Sequence, residues 1–395
     1  KNMLKKSSKF KFFSIFTVII LAGLLYTQAD YGQEANKSTK ITEPEVITNT
    51  SNVKGYQKVT LPIEDVENID AQIEDYLFDL WPIMSDEEIE AIKGSKDISK
   101  KLVNDTLGHV EFSLTINVPE HYLDPAPTML WELNIPEFTS RIYQIYNNDT
   151  ILITIWPNVV GAPSTKTYTG YYNIFRLRNW PTWKDPESDP LEPGTPPGPG
   201  NPLGLFAAHY DENSLRYFHG TNKNGLLKNE YRALSHGCVR NDNGNIDKMK
   251  KFIVKKMVTS QDLSFWANSK KSMMYNFTEE EKQKFPVRIK YKTFEIGTDS
   301  YGDYIIFFKD VYGYARGNRW SKFDREELMI FSTVENIVAE YKAEHKPNQF
   351  QLSDDKLIPI VESLISDHKD YEKYYFADLL QGSQTKYKVI LHNGI

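Results

Sequence analysis

Hydrophobic positions along the chain change their spacing twice, and each spacing predicts a different kind of element. Between residues 60 and 125, Val66, Ile69, Ile73, Tyr76, Leu77 and Leu80 recur at three- and four-residue steps, the period of one helix face. That helix should stop at Trp81-Pro82, because the residue before a proline is pushed out of the helical region. Ser85-Asp-Glu-Glu88 has the form of a capping box and predicts a second helix, with Gly94 as its stop. From about Met129 the pattern turns β-rich. Ile135–Tyr146 and Ile151–Trp156 flank Asn147-Asn-Asp149 and predict a hairpin. Tyr172–Leu177, Leu215–His219, Val287–Ile296 and Tyr304–Phe308 predict further short strands. Asn245 is the expected cap of a helix with Ile246, Met249, Ile253 and Met257 on one face. Its lysines, Lys248, Lys250, Lys251, Lys255 and Lys256, are expected on a solvated face. Beyond residue 320, Leu328, Phe331, Val334, Ile337 and Tyr341 return to helical steps.

The interruptions divide the chain. Pro181–Gly204 is dense in proline and glycine and cannot be regular structure. Strands of one kind lie on both sides of it, so it reads as a loop inside one domain. Near the amino terminus, Lys5, Lys6, Lys9 and Lys11 precede the apolar run Phe12–Tyr26, followed by Thr27-Gln28-Ala29. This is the layout of an export leader, and an N-terminal anchor through residues 12–26 is the other reading. The expected organisation is therefore a leader or anchor over 1–29, a polar tether over 30–59 and a helical accessory region over 60–128. A β-rich domain over 129–318, with a polar, partly helical insertion at 258–285, and a C-terminal helical region over 319–395 complete it. The expected fold class is α+β.

Composition changes this picture little. Apolar residues at 40% and charged residues at 25% are ordinary, and the 13% aromatic share suits β structure. The net charge is −6, and loss of Lys1, Lys5, Lys6, Lys9 and Lys11 with the leader would make it −11. Such a chain is a poor partner for nucleic acid, where phosphate neutralisation dominates affinity. With one cysteine there can be no intramolecular disulfide, and none stands near the leader to carry lipid.

That one cysteine carries the chemistry. Cys238 sits in Arg232-Ala-Leu-Ser-His-Gly-Cys-Val-Arg-Asn241, and His219 stands nineteen positions upstream in Tyr217-Phe-His-Gly-Thr221. A lone thiol flanked by glycine, histidine, serine and arginine in an exported chain is an oxidation liability unless it is used. A thiolate generated by a nearby imidazole is a strong nucleophile, which predicts acyl transfer through a thioester. His236 is the competing base, sharing the face of Cys238 only if that segment is extended. The eight histidines show no metal-ligand spacing, so neither a metal nor another cofactor is implied. A papain-like peptidase is disfavoured because its cysteine precedes its histidine in the chain.

These motifs resemble the L,D-transpeptidase catalytic domain family of the YkuD type, in its larger, multi-region members. The resemblance rests on His219-Gly-Thr221 and Ser235-His-Gly-Cys-Val-Arg-Asn241. It extends to Leu133–Phe138, Arg141–Tyr143, Val160–Pro163, Thr169–Tyr172 and the Pro196–Gly204 loop, across roughly 129 to 315. It implies a mainly β catalytic domain, a sandwich or barrel with short helices, plus the helical regions. Cys238 would be the nucleophile and His219 its general base, held by the main-chain carbonyl of Gly220. The amides of Gly237 and Cys238 would face the oxyanion, with His236 nearby. Ser235, Arg240, Asn241 and Thr221 are expected on the substrate side. Ser235 would also support the loop, and a structural role for Arg240 stays open. The implied partners are peptidoglycan stem peptides in the cell envelope, joined 3→3 with release of D-alanine. An L,D-carboxypeptidase or a wall-protein-detaching hydrolase would use the same residues with water as acceptor, and a non-catalytic wall-binding protein is a third reading.

Overall fold

The computed structural model describes residues 55–63, 67–102, 110–185, 188–189, 191–344, 352–382 and 387–388, all within one unit, Val46–Ile395. The predicted leader or anchor over 1–29 and most of the tether lie outside them, as does Val66. Among the described residues, no helix is long and apolar enough to cross a membrane.

β1 (Tyr56–Pro62) opens the accessory region. Helix α1 (Ile69–Leu80) buries Ile73 and Leu77 and ends at Trp81, as the proline predicts. Helix α2 (Asp86–Gly94) starts at Ser85, whose Oγ accepts the Glu88 amide at 3.2 Å. The region is not only helical. With β1, strands β2 (Asp97–Leu102) and β3 (Val110–Pro119) form an antiparallel sheet of order β1-β3-β2. Leu114, Ile116 and Val118 alternate along β3 into the core, a two-residue period beside the helical one.

The expected hairpin is made by β5 (Thr139–Tyr146) and β6 (Asp149–Pro157), following β4 (Thr128–Asn134). Asn147 and Asn148 take φ of 52° and 67°, left-handed values that asparagine tolerates in a tight turn. Ile135–Phe138, expected as strand, turns instead, with the Phe138 amide on the Ile135 carbonyl at 3.1 Å. After the short β7 (Val160–Gly161), Tyr172–Leu177 splits into β8 (Gly170–Asn173) and β9 (Arg176–Asn179). These two belong to different sheets. Pro181–Gly204 then leaves β9 and returns at β10 (Phe206–His209). Within it the buried Asn201 side chain donates to the carbonyls of Pro181, Thr195 and Pro196.

Next come β11 (Tyr217–His219), β12 (Ala233–Ser235) and β13 (Val239–Arg240). Helix α3 (Asn243–Phe252) is capped by Asp242 rather than Asn245, the Asp242 carboxylate accepting the amides of Gly244 and Asn245. Its lysines are not all solvated. Lys250 is buried and pairs with Asp247 at 2.7 Å, and Lys256 lies over the Trp81 ring with its Nζ on the Asp124 carbonyl at 3.2 Å. The accessory region covers that face, and Lys255 pairs with Asp79 of α1.

The predicted insertion holds a 3-10 turn at Ser264–Ala267, β14 (Met273–Asn276) and α4 (Glu279–Gln283), the last with a full capping box between Thr278 and Glu281. Val287–Ile296 is two strands, β15 (Pro286–Lys292) and β16 (Phe294–Asp299), again in different sheets. β16 pairs with β17 (Gly302–Phe307). The helical spacing from Leu328 begins too early: β18 (Met329–Ile330) pairs with β15, and helix α5 starts only at Val334 (Val334–Glu344). Helix α6 (Asp354–Ser366), β19 (Glu372–Tyr375), α7 (Phe376–Leu380) and β20 (Tyr387–Lys388) end the described chain.

Two sheets frame the centre, of order β18-β15-β4-β5-β6 and β13-β11-β10-β9-β14. They meet across an apolar core in which Trp131 stacks on Phe218 at 3.9 Å between ring centres. A separate core forms where β16-β17-β19-β20 meets α5, α6 and α7, around Phe294, Phe307, Tyr341 and Val361. Residues 294–307, expected with the catalytic sheet, therefore pack with the C-terminal segment. The α+β class, mainly β at the centre with helical additions, stands as expected.

Candidate active site

The parallel pairing of β11 with β13 sets Phe218 opposite Val239 and His219 opposite Arg240. Phe218 and Val239 are fully buried in the core. Side chains alternate along a strand, so Tyr217 and His219 point to the other face with Arg240 of β13, where Cys238, just before that strand, joins them. That face lines a cavity of about 970 Å³ containing Cys238, His219, Arg178, Arg216 and Arg240. Register thus brings the thiol and the imidazole to one cavity.

His219 is buried, and its Nδ1 meets the carbonyl of Gly220 at 2.5 Å. A carbonyl only accepts, so Nδ1 carries the proton and Nε2 keeps its lone pair. A Cβ on Gly220 would stand 2.2 Å from the Asn243 side chain, which itself accepts the Thr221 amide. Burial pulls the pKa of His219 down to about 3, with Arg240 adding to the effect and the carbonyls of Gly220 and Leu203 opposing it.

Cys238 is half-buried, and its Sγ donates to the Leu215 carbonyl at 3.1 Å. Burial raises the thiol to about 11, against the Tyr217 amide, Arg216 and Arg240, which favour the thiolate. Both shifts disfavour the charged forms, so burial favours thiol and neutral imidazole over a thiolate–imidazolium pair.

The turn carrying Cys238 is tied at both ends by Ser235. Its Oγ donates to the Cys238 carbonyl at 2.5 Å and accepts the Gly237 amide at 3.1 Å. The Gly237 amide, expected at the oxyanion, donates to Ser235 in this structure. Gly237 has φ of 107°, and a Cβ there would lie 2.9 Å from Nε of Arg216.

The remaining predicted residues separate. His236 is exposed and lines the cavity, as does Arg240. Asn241 and Thr221 do not reach it. Asn241 is fully buried, donating to the His219 and Val239 carbonyls and accepting from Asn158 Nδ2 at 2.8 Å. Thr221 is buried with its hydroxyl on the Lys223 amide. Both make their hydrogen bonds inside the fold rather than at the cavity wall.

Several residues of the site lie outside the motifs. Arg216 lies over the Tyr168 ring at 3.8 Å and donates from Nε to the Lys166 carbonyl at 2.9 Å. Arg178 lines the cavity from β9, where the alternation Arg176-Leu-Arg178 around buried Leu177 is its one signal in sequence. Thr167 and Tyr312 support the turn from behind and carry no such signal.

Comparison with known proteins agrees with this centre. Residues 132–260 match the family model described as YkuD, L,D-transpeptidase catalytic domain. This stretch is accordingly an L,D-transpeptidase-type domain of that family. The chain is similar to the probable L,D-transpeptidase YbiS of Escherichia coli strain K12, 28% identical over 165 residues, 38% of this chain and 49% of that protein. It thus spans about half the length of the curated relatives it matches. Among solved structures, an L,D-transpeptidase from Mycobacterium smegmatis aligns at 13% identity and a TM-score of 0.25, over 60% of this chain and 91% of that one. The helical cell shape determining protein Pgp2 from Campylobacter jejuni aligns at 12% identity and a TM-score of 0.24, over 63% and 74%.

Proposed function

We propose that the chain is a peptidoglycan L,D-transpeptidase of the cell envelope, with Cys238 as nucleophile and His219 as base. The observation that carries this reading is the register of β11 and β13, which turns both side chains into one cavity. The thiol proton passes to Nε2 of His219 as sulfur attacks the L,D-amide before the terminal D-alanine of a tetrapeptide stem. Moving the proton during attack suits a pair that rests neutral. The Cys238 amide, on a turn held rigid by Ser235, faces the developing oxyanion. Collapse breaks the C–N bond, His219 returns the proton to the departing amine, and a thioester remains on Cys238. The amine of a second stem then attacks the thioester, breaks the C–S bond and forms the 3→3 cross-link.

The full chain incubated with tetrapeptide muropeptide, and its products weighed by mass spectrometry, tests this. A dimer that has lost one alanine supports transpeptidation. Tripeptide monomer alone would make water the acceptor and the protein an L,D-carboxypeptidase.

A further inference from the structure

Although the whole chain is acidic at −6, the cavity around Cys238 is not. Arg178, Arg216, Lys223 and Arg240 line it together with Lys184, and Asp185 is the one carboxylate among the described lining residues. Lys184 and Asp185 each have an interaction of their own, which leaves the other four cations. Among the described residues, none of the four cations makes an ion pair. Arg178 and Arg216 donate to the main-chain carbonyls of Thr182 and Lys166, which leave their charge uncompensated. Elsewhere the same chain pairs its cations closely: Arg288 and Lys290 share Glu132, and Arg141 holds Glu137. The four are also spread around the opening. Arg240 stands beside the nucleophile on β13, Arg178 comes from β9, and Lys223 follows the histidine motif. These four cations outnumber the single terminal carboxylate of the leaving residue.

We propose that this cavity selects donor peptides bearing ionised carboxylates beyond that of the leaving residue, so that the free-acid stem is the substrate and its amidated form a poor one. This rests on the acyl-transfer reading and names its substrate class. At about 970 Å³ the cavity admits several residues of an extended peptide. Uncompensated cations in a cleft with low-dielectric walls also concentrate anions at its mouth, against the sign of the chain as a whole. The overall acidity, which suggests attraction of an amine acceptor, therefore does not describe the reactive face.

The test uses the full chain and two synthetic tetrapeptide stems with the same terminal carboxylate, the internal carboxylates free in one and converted to carboxamides in the other. Acylation of Cys238 is followed by intact mass, and binding is measured separately with Cys238→Ser. At about 50 mM salt the free-acid stem should acylate and bind about tenfold better, the ratio narrowing toward parity near about 0.5 M as surface charge is screened. Arg178→Gln and Lys223→Gln should each reduce the ratio. Equal acylation of both stems, or preference for the carboxamide, would keep the reaction and overturn the selection. Preferential binding of the free acid without acylation would keep the selection and reject the reaction. Equal binding by Cys238→Ser overturns the proposal whatever the acylation shows.

Discussion

The hydroxyl of Thr167 donates to the carbonyl of Gly237 at 2.8 Å, fixing from behind the turn that presents Cys238. The same oxygen accepts the Gly161 amide at 2.9 Å. Tyr312 completes the buttress: its hydroxyl donates to the Gly161 carbonyl at 2.8 Å and accepts the Thr167 amide at 3.1 Å. Thr167→Val would leave a buried carbonyl and a buried amide without partners, costing about 1–3 kcal/mol in local order. Turnover should fall about tenfold, a loss of about 1.4 kcal/mol of transition-state stabilisation. Thr167→Ser should restore most of it. Steady-state kinetics on the three proteins checks this, and unchanged turnover in the valine variant would remove Thr167 from the positioning of the nucleophile.

Gly237 admits no other residue. Its φ of 107° is strained for any L side chain, and a Cβ would crowd the guanidinium of Arg216, 2.9 Å from its Nε. Gly237→Ala should therefore displace either the turn or Arg216, lowering acylation about a hundredfold or more. The melting temperature should fall by only a few degrees, for a strain of about 1–3 kcal/mol. Differential scanning calorimetry beside an acylation assay separates the two effects. An alanine variant with normal acylation would contradict the geometry.

The fold was legible where one face of an element dominates. Ile73 and Leu77 announce α1, and the Asn147-Asn-Asp149 turn announces its hairpin. It was not legible where neighbouring residues in one apolar run serve different sheets. Val287–Ile296 reads as one strand because Val287, Ile289, Tyr291, Phe294 and Ile296 are all buried, yet Thr293 marks the passage from one sheet to another. In the site, Cys238 and His219 stand out by residue type. Thr167, Arg216 and Tyr312 do not, because their roles depend on contacts between segments far apart in sequence. Asn241 and Thr221 were drawn toward the substrate by proximity to the motifs, whereas both are buried, Asn241 turned away from the face of Arg240 and Thr221 accepting the Lys223 amide.

The neutral resting pair has a kinetic signature. With the thiol raised to about 11, thiolate in the free enzyme increases about tenfold per pH unit through the neutral range. Alkylation of Cys238 by iodoacetamide should therefore climb steadily from pH 6 to pH 10. A stable thiolate–imidazolium pair would instead give a rate that is flat from mildly acidic pH upward, and that profile would contradict the assignment.

Acid stability follows from buried histidines. Burial lowers His121 to about 4, and neither of its ring nitrogens has a partner among the described residues. Burial also lowers His209 and His219 to about 3. The unfolded chain takes up these protons near 6.5, before the folded one does, so stability is complete above that pH and falls as pH drops toward 4. Between pH 6.5 and pH 4 each group accounts for at most about 3.4 kcal/mol of that loss. Urea unfolding between pH 7.5 and pH 4 should show this decline, and His121→Phe should make it shallower. A variant with the slope of the parent would place the acid sensitivity elsewhere.

The most direct measurement is intact mass of the full chain mixed with a tetrapeptide stem, run beside Cys238→Ala and His219→Ala. The parent should gain the mass of the stem less its terminal alanine, located on Cys238 by peptide mapping. Cys238→Ala should gain nothing, and His219→Ala should be acylated at least about a hundredfold more slowly, in keeping with loss of a general base. Full turnover of the stem by Cys238→Ala would contradict the account at its centre.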